Sequence, residues 1–145
     1  MRFRTILAAL AAPALIAGAM LTATAGPALA SDTANGAGIF ANNFQCNGAS
    51  NLATQTGFVN FHQDGGTVTA IVHLKDAPPN NTINVWGYSG FCTFVAFLGT
   101  VTTNSNGVGN ATFSYASPAG AQVFVIGYDI APYTGYVFDS AAVTP

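Results

Sequence analysis

The chain has 145 residues, of which 50% are hydrophobic and only 6% charged, with a formal net charge of −2. That length supports one domain with an adequate core, and three cations provide no electrostatic footprint for nucleic acid or anionic lipid. Low charge combined with many β-branched, aromatic and glycine residues also excludes a disordered chain.

The N-terminus reads as a secretory signal. Arg2 and Arg4 form a positive start, residues 6–21 form an apolar run, and Ala28, Leu29 and Ala30 supply the small residues of a cleavage site. The expected cut follows Ala30 and leaves 115 residues. The competing reading is an uncleaved anchor, but the apolar run is short for a span and is broken by Pro13 and Gly18. No cysteine follows the cut and Phe3 separates the arginines, so general secretion is expected over lipidation or twin-arginine export. Both arginines and both methionines leave with the signal. The mature chain keeps one lysine, Lys75, against five aspartates, a net of −4, and contains no second apolar span. It is expected to be secreted and free of any membrane span.

Residues 31–38 are small and polar and are expected to form a flexible mature N-terminus. From Ile39 onward, short runs of Val, Ile, Phe, Tyr and Thr alternate with Gly, Asn, Asp and Pro clusters, the signature of strands and turns. Strands are predicted near 39–46, 56–63, 67–74, 82–88, 92–102, 109–115, 122–129 and 136–143. Seven or eight short strands at this spacing mean a sandwich or a small barrel. The expected fold is all-β: a single Ig-like antiparallel β-sandwich over 39–145. The clearest hairpin is 56–74, with its turn at Asp64-Gly65 or Gly65-Gly66, where positive φ is available. A second turn is expected at 104–107. Pro78 and Pro79 place 77–81 in a loop.

Two strands depart from sandwich alternation. Residues 91–98 and 123–128 are apolar on both faces, where one face of a sandwich strand is normally wet. Either a covering segment buries the second face, or Phe94, Val95, Phe97, Phe124, Ile126 and Tyr128 form an apolar patch for a ligand or another subunit.

Cys46 and Cys92 are the only cysteines. Export to an oxidising compartment favours one internal disulfide, which would restrict the unfolded chain by roughly 4 kcal/mol. Two free thiols or an intermolecular bridge are the rival readings.

No catalytic or metal constellation emerges. A blue-copper site requires two histidines, a cysteine and usually a methionine, but no methionine remains in the mature chain and no histidine lies C-terminal to Cys92. His62 and His73 fall four to six positions apart on the predicted ladder, roughly 13–20 Å, too far to share a metal. There is no Gly-x-Ser-x-Gly elbow for a nucleophile. Asp129 and Asp139, with Asp76, are the available carboxylates for glycosidic chemistry, and each reads as a solvated residue near a strand end. No calcium loop is present. The expectation is therefore a non-enzyme without cofactor or metal.

The aromatic residues give the positive signal. Trp86 and Tyr88 are two apart on a predicted strand and so share a face, about 7 Å apart. Tyr133 and Tyr136 lie near the loop after Asp129. Flat rings flanked by Asn, Gln and Thr can stack on sugars, whereas a buried tryptophan beside a half-buried tyrosine is the purely structural alternative.

Residues 79–85 lead into a strand and then to Cys92, and 100–112 follow with a Thr-rich strand, an Asn-Ser-Asn-Gly turn and a second strand. This third of the chain resembles secreted actinobacterial Ig-like domains, of which the neocarzinostatin-type carrier proteins are an example. The resemblance implies a seven-stranded sandwich with an apolar ligand cleft. The chain departs from that pattern in its cysteines, because the family carries two local disulfides. Taken together, the expected function is a small binding module for an apolar ligand or polysaccharide. The alternative is a structural or surface-associated protein that associates with itself through the apolar strands.

Overall fold

The computed structural model describes residues 32–41, 54–91, 93–131 and 135–145. The chain forms eight strands, β1 (Asp32–Ala41), β2 (Gln55–Asp64), β3 (Thr67–Leu74), β4 (Thr82–Ser89), β5 (Thr93–Thr102), β6 (Gly109–Ala116), β7 (Val123–Ala131) and β8 (Val137–Ser140). All pairings are antiparallel, and the strands lie in one continuous sheet of order β5-β4-β7-β8-β1-β2-β3-β6. The sheet curls until its two edge strands approach each other, which makes a nearly closed barrel.

The all-β expectation holds, but two separate sandwich sheets are not what the strands form. The reason is β1. It pairs with β2 along most of its length and with β8 at Ile39, Phe40 and Ala41, so it joins two four-stranded halves into one ladder. Sequence reading starts this strand at Ile39, whereas pairing begins at Asp32 against Gln63. Small residues give no strand signal of their own, and here the backbone ladder carries the pairing. A bulge accommodates Gly36, which has a φ of 73° and donates its N–H to Asn60 Oδ1 at 2.8 Å.

The strongest sequence signal lies in β2 and β3. Asp64 pairs with Thr67, so the turn is Gly65-Gly66, and His62 faces Thr69 while His73 faces Phe58. Val68, Ala70, Val72 and Leu74 point inward and are buried. They join Ile39, Val59, Phe61, Val85 and Phe138 in one buried core. Gly127 is required by this packing, because a β-carbon there would collide with the Phe138 ring.

Two long crossings close the ends. Residues 75–81 run from β3 to β4 past the β5–β6 turn, where Thr103 Oγ1 donates to the Pro78 carbonyl at 2.6 Å. Residues 117–122 run from β6 to β7 across the other end. Buried Gln63 fastens that crossing, donating to the carbonyls of Ser117 and Pro118 and accepting from the Gly120 N–H.

Candidate functional site

Among the described residues, inward side chains from every strand pack into one buried core, with further, partly buried β5 residues against it. One sector of the outer surface is aromatic. β4, β5 and β7 are neighbours, and alternation turns Trp86 and Tyr88 of β4 outward while Val85 faces the core. On β7, Val123 and Val125 belong to the core, so Phe124, Ile126 and Tyr128 lie on the same outer face as Trp86 and Tyr88.

The doubly apolar character of β5 arises from two bulges. Gly87 pairs with Ala96 but Tyr88 with Phe94, leaving Val95 as an extra residue. Likewise Val85 pairs with Gly99 and Trp86 with Phe97, leaving Leu98 extra. Each insertion resets the alternation, so Phe94 and Phe97, three apart in sequence, both project outward and are each 54% exposed. Phe91, in the preceding turn, is 77% exposed.

The rings interlock. Trp86 packs edge-on to Tyr128 at 5.2 Å between centroids and tilted against Phe97 at 5.6 Å. Tyr88 stacks on Phe124 at 5.0 Å with 13° between planes, and its edge meets Phe94 at 6.0 Å. Phe124 and Ile126 are buried, whereas Trp86, Tyr88, Val95 and Tyr128 remain half-exposed. Of the predicted patch, Phe94, Phe97, Phe124, Ile126 and Tyr128 lie on this outer face, with Phe94 and Phe97 the most accessible, whereas Val95 packs against the core.

A carboxylate lies in the same sector. Asp139 of β8 pairs with Ile126 and is fully buried. Burial raises the Tyr88 hydroxyl above the usual phenol range, and the nearby Asp139 carboxylate adds to this. Tyr128 is raised by burial, by Tyr88 and by Asp139. Both phenols therefore remain neutral hydrogen-bonding groups at the polar margin of an otherwise apolar face.

Other predicted residues lie elsewhere. Tyr136 is buried, and its hydroxyl shares a 2.8 Å hydrogen bond with Thr56 Oγ1, apart from Trp86 and Tyr88. Burial pushes it up to about 12, opposed by that hydrogen bond. Tyr133, Cys46 and Cys92 lie outside the described residues, as do positions 42–46 of the first predicted strand and the signal segment. Asp129 and Asp139 are both buried, not solvated as the sequence implies. They also occupy opposite faces of the sheet, since Asp129 follows the inward alternation of β7 and Asp139 sits beside the outer tyrosines. His62 and His73 are separated by four ladder positions, roughly 13 Å. His73 instead stacks on Phe58 at 4.6 Å and shares a 2.7 Å hydrogen bond with Asn110 Oδ1. Among the described residues no group of three or more metal-ligating side chains occurs.

A second feature escapes sequence reading altogether. A cleft of about 630 Å³ opens at one end of the barrel between β5 and β6, lined among others by Phe94, Val95, Ala116, Ser117 and Pro118. Ser89 Oγ and Ser117 Oγ meet at 2.8 Å beside it. Its lining is mainly glycine, alanine and serine, which carry no motif. Comparison with known protein families, curated proteins and solved structures finds no match to this chain.

Proposed function

We propose that the protein is an exported, non-catalytic binding module whose working surface is the aromatic face of β4, β5 and β7, and that its ligand is apolar. The observation that carries this reading is the exposure of Phe94 and Phe97 beside half-exposed Trp86, Tyr88 and Tyr128 on a single face. Phenylalanines at the accessible positions favour an apolar ligand over a polysaccharide, because they offer ring surface without a hydroxyl or amide for sugar hydroxyls. Export fits the start of β1 at Asp32: a cut after Ala30 leaves every described strand whole. A disulfide between Cys46 and Cys92 would complete the exported domain.

Trp86 is the only tryptophan and lies in the proposed site, so its emission reports on binding directly. Titration of the mature protein with a neutral naphthalene-ring probe should perturb Trp86 emission saturably. Soluble polysaccharides should not. Phe97→Ala should weaken probe binding by about tenfold while leaving the unfolding midpoint within a few degrees. Saturable binding of a polysaccharide with no response to the probe would replace the apolar ligand with a glycan.

The edge position of β5 favours a second reading, self-association. An exposed aromatic edge strand is a surface that another copy can cover. Sedimentation velocity distinguishes the two readings, since the binding module remains monomeric at high concentration.

A further inference from the structure

We infer that the cleft between β5 and β6 is a strand-acceptor site, and that it takes an extended segment of a partner polypeptide with uncharged side chains. This inference is independent of the aromatic-face reading and rests on backbone groups. β5 and β6 are the two edges of the sheet, and among the described residues no ladder joins them. They pack closely at the middle, where a β-carbon on Gly99 would stand 3.2 Å from the Phe113 ring. A cleft opens between them towards the end where β5 begins and β6 finishes, beside the Val95 bulge.

The direction of the free groups follows from the hydrogen bonds at the strand ends. The Ser117 N–H donates to the Gly66 carbonyl on the β3 side, so antiparallel alternation turns Tyr115 towards β3 and the backbone groups of Ser114 and Ala116 towards the gap. On the other wall, the Gly90 N–H donates to the Gln122 carbonyl on the β7 side, so Ser89 faces β5. Ser89 pairs with Thr93, and Phe94 therefore turns its own N–H and C=O away from β4 into the gap. Two backbone edges thus face each other across the cleft, and among the described residues no strand pairs with either.

Only another extended backbone matches both edges at once; a compact apolar ligand would leave these groups without partners. The lining residues carry no charge, and several are Gly or Ala, which lets a backbone approach closely. A second copy is a poor occupant, because its own free edges, β5 and β6, sit inside the same kind of cleft.

The test uses the mature protein and a capped octapeptide of alternating Thr and Val, with amide exchange read by NMR. The amides of Phe94, Ser114 and Ala116 should exchange freely in the protein alone and slow by about tenfold or more when the peptide binds. The same peptide N-methylated at alternate residues should leave them unchanged, and Phe97→Ala should not affect the protection. Ala116→Pro removes one gap-facing donor while the neighbouring bonds to β3 remain, and should weaken the octapeptide by about tenfold. Slow exchange at these amides in the free protein, equal effects of both peptides, or no protection by either would overturn the assignment. Should the proline variant fail to fold, the exchange measurement on the unsubstituted protein still decides.

Discussion

At the scale of single residues, the interior depends on a few polar groups whose partners can be identified. Tyr115 is buried, and its hydroxyl has no hydrogen-bond partner among the described residues; burial holds its ionisation well above the usual phenol range. Removing an unpaired buried hydroxyl relieves a desolvation cost, so Tyr115→Phe should stabilise the protein by up to about 1 kcal/mol in urea unfolding. Tyr136 makes a pH prediction. It ionises near 10 when unfolded and at about 12 when folded. The stability that it contributes is complete below pH 10 and is lost as the pH rises towards 12, because over that interval the unfolded state releases its proton first. Unfolding midpoints measured from pH 8 to 12 should therefore hold steady and then fall, and Tyr136→Phe should flatten part of that fall. Gly127 marks a steric limit. Gly127→Ala should cost about 1–3 kcal/mol because Phe138 occupies the space that the methyl group would need. None of these roles is visible in the sequence, since burial and partner geometry depend on which strands become neighbours.

At the scale of elements, the β2–β3 hairpin was legible because strict alternation and a Gly-Gly turn leave one favourable register. The bulges of β5 were not. An extra residue in one strand has no compositional signature, and the run at 94–98 simply looks apolar on both faces. The same strand shows why the candidate surface was only partly readable: Trp86 and Tyr88 follow from their spacing, but bringing Phe94 and Phe97 beside them requires the bulges. The early start of β1 was hidden for the opposite reason, because its ladder forms through backbone groups that any small residue can supply. The end crossings depend on side chains remote in sequence. Gln63→Leu removes three hydrogen bonds that fasten residues 117–120 to β2. It should cost about 1–3 kcal/mol and speed amide exchange at Gly120 more than in β3.

At the scale of the whole molecule, composition correctly indicates an all-β domain, while continuity of the sheet depends on β8, which makes one three-residue contact with β1 and another with β7. The contact with β1 could not be read from sequence because it joins the first and last strands. It converts what alternation alone would permit as two layers into one curled sheet whose ends meet at a seam. The core side chains pack inside the sheet, and an aromatic face and a neutral cleft lie at the β5 edge. A surface with so few charges offers little long-range steering, so binding by the aromatic face should change little between 50 and 500 mM salt, as read by Trp86 emission.

The role proposed for the aromatic face of β4, β5 and β7 is to hold an apolar ligand. Native mass spectrometry of the full chain expressed in bacteria, compared with Phe97→Ser, is the decisive test. A monomer carrying an additional small-molecule mass, lost from the Phe97→Ser variant, is the predicted result. A bare monomer, or a dimer that Phe97→Ser separates, would contradict it.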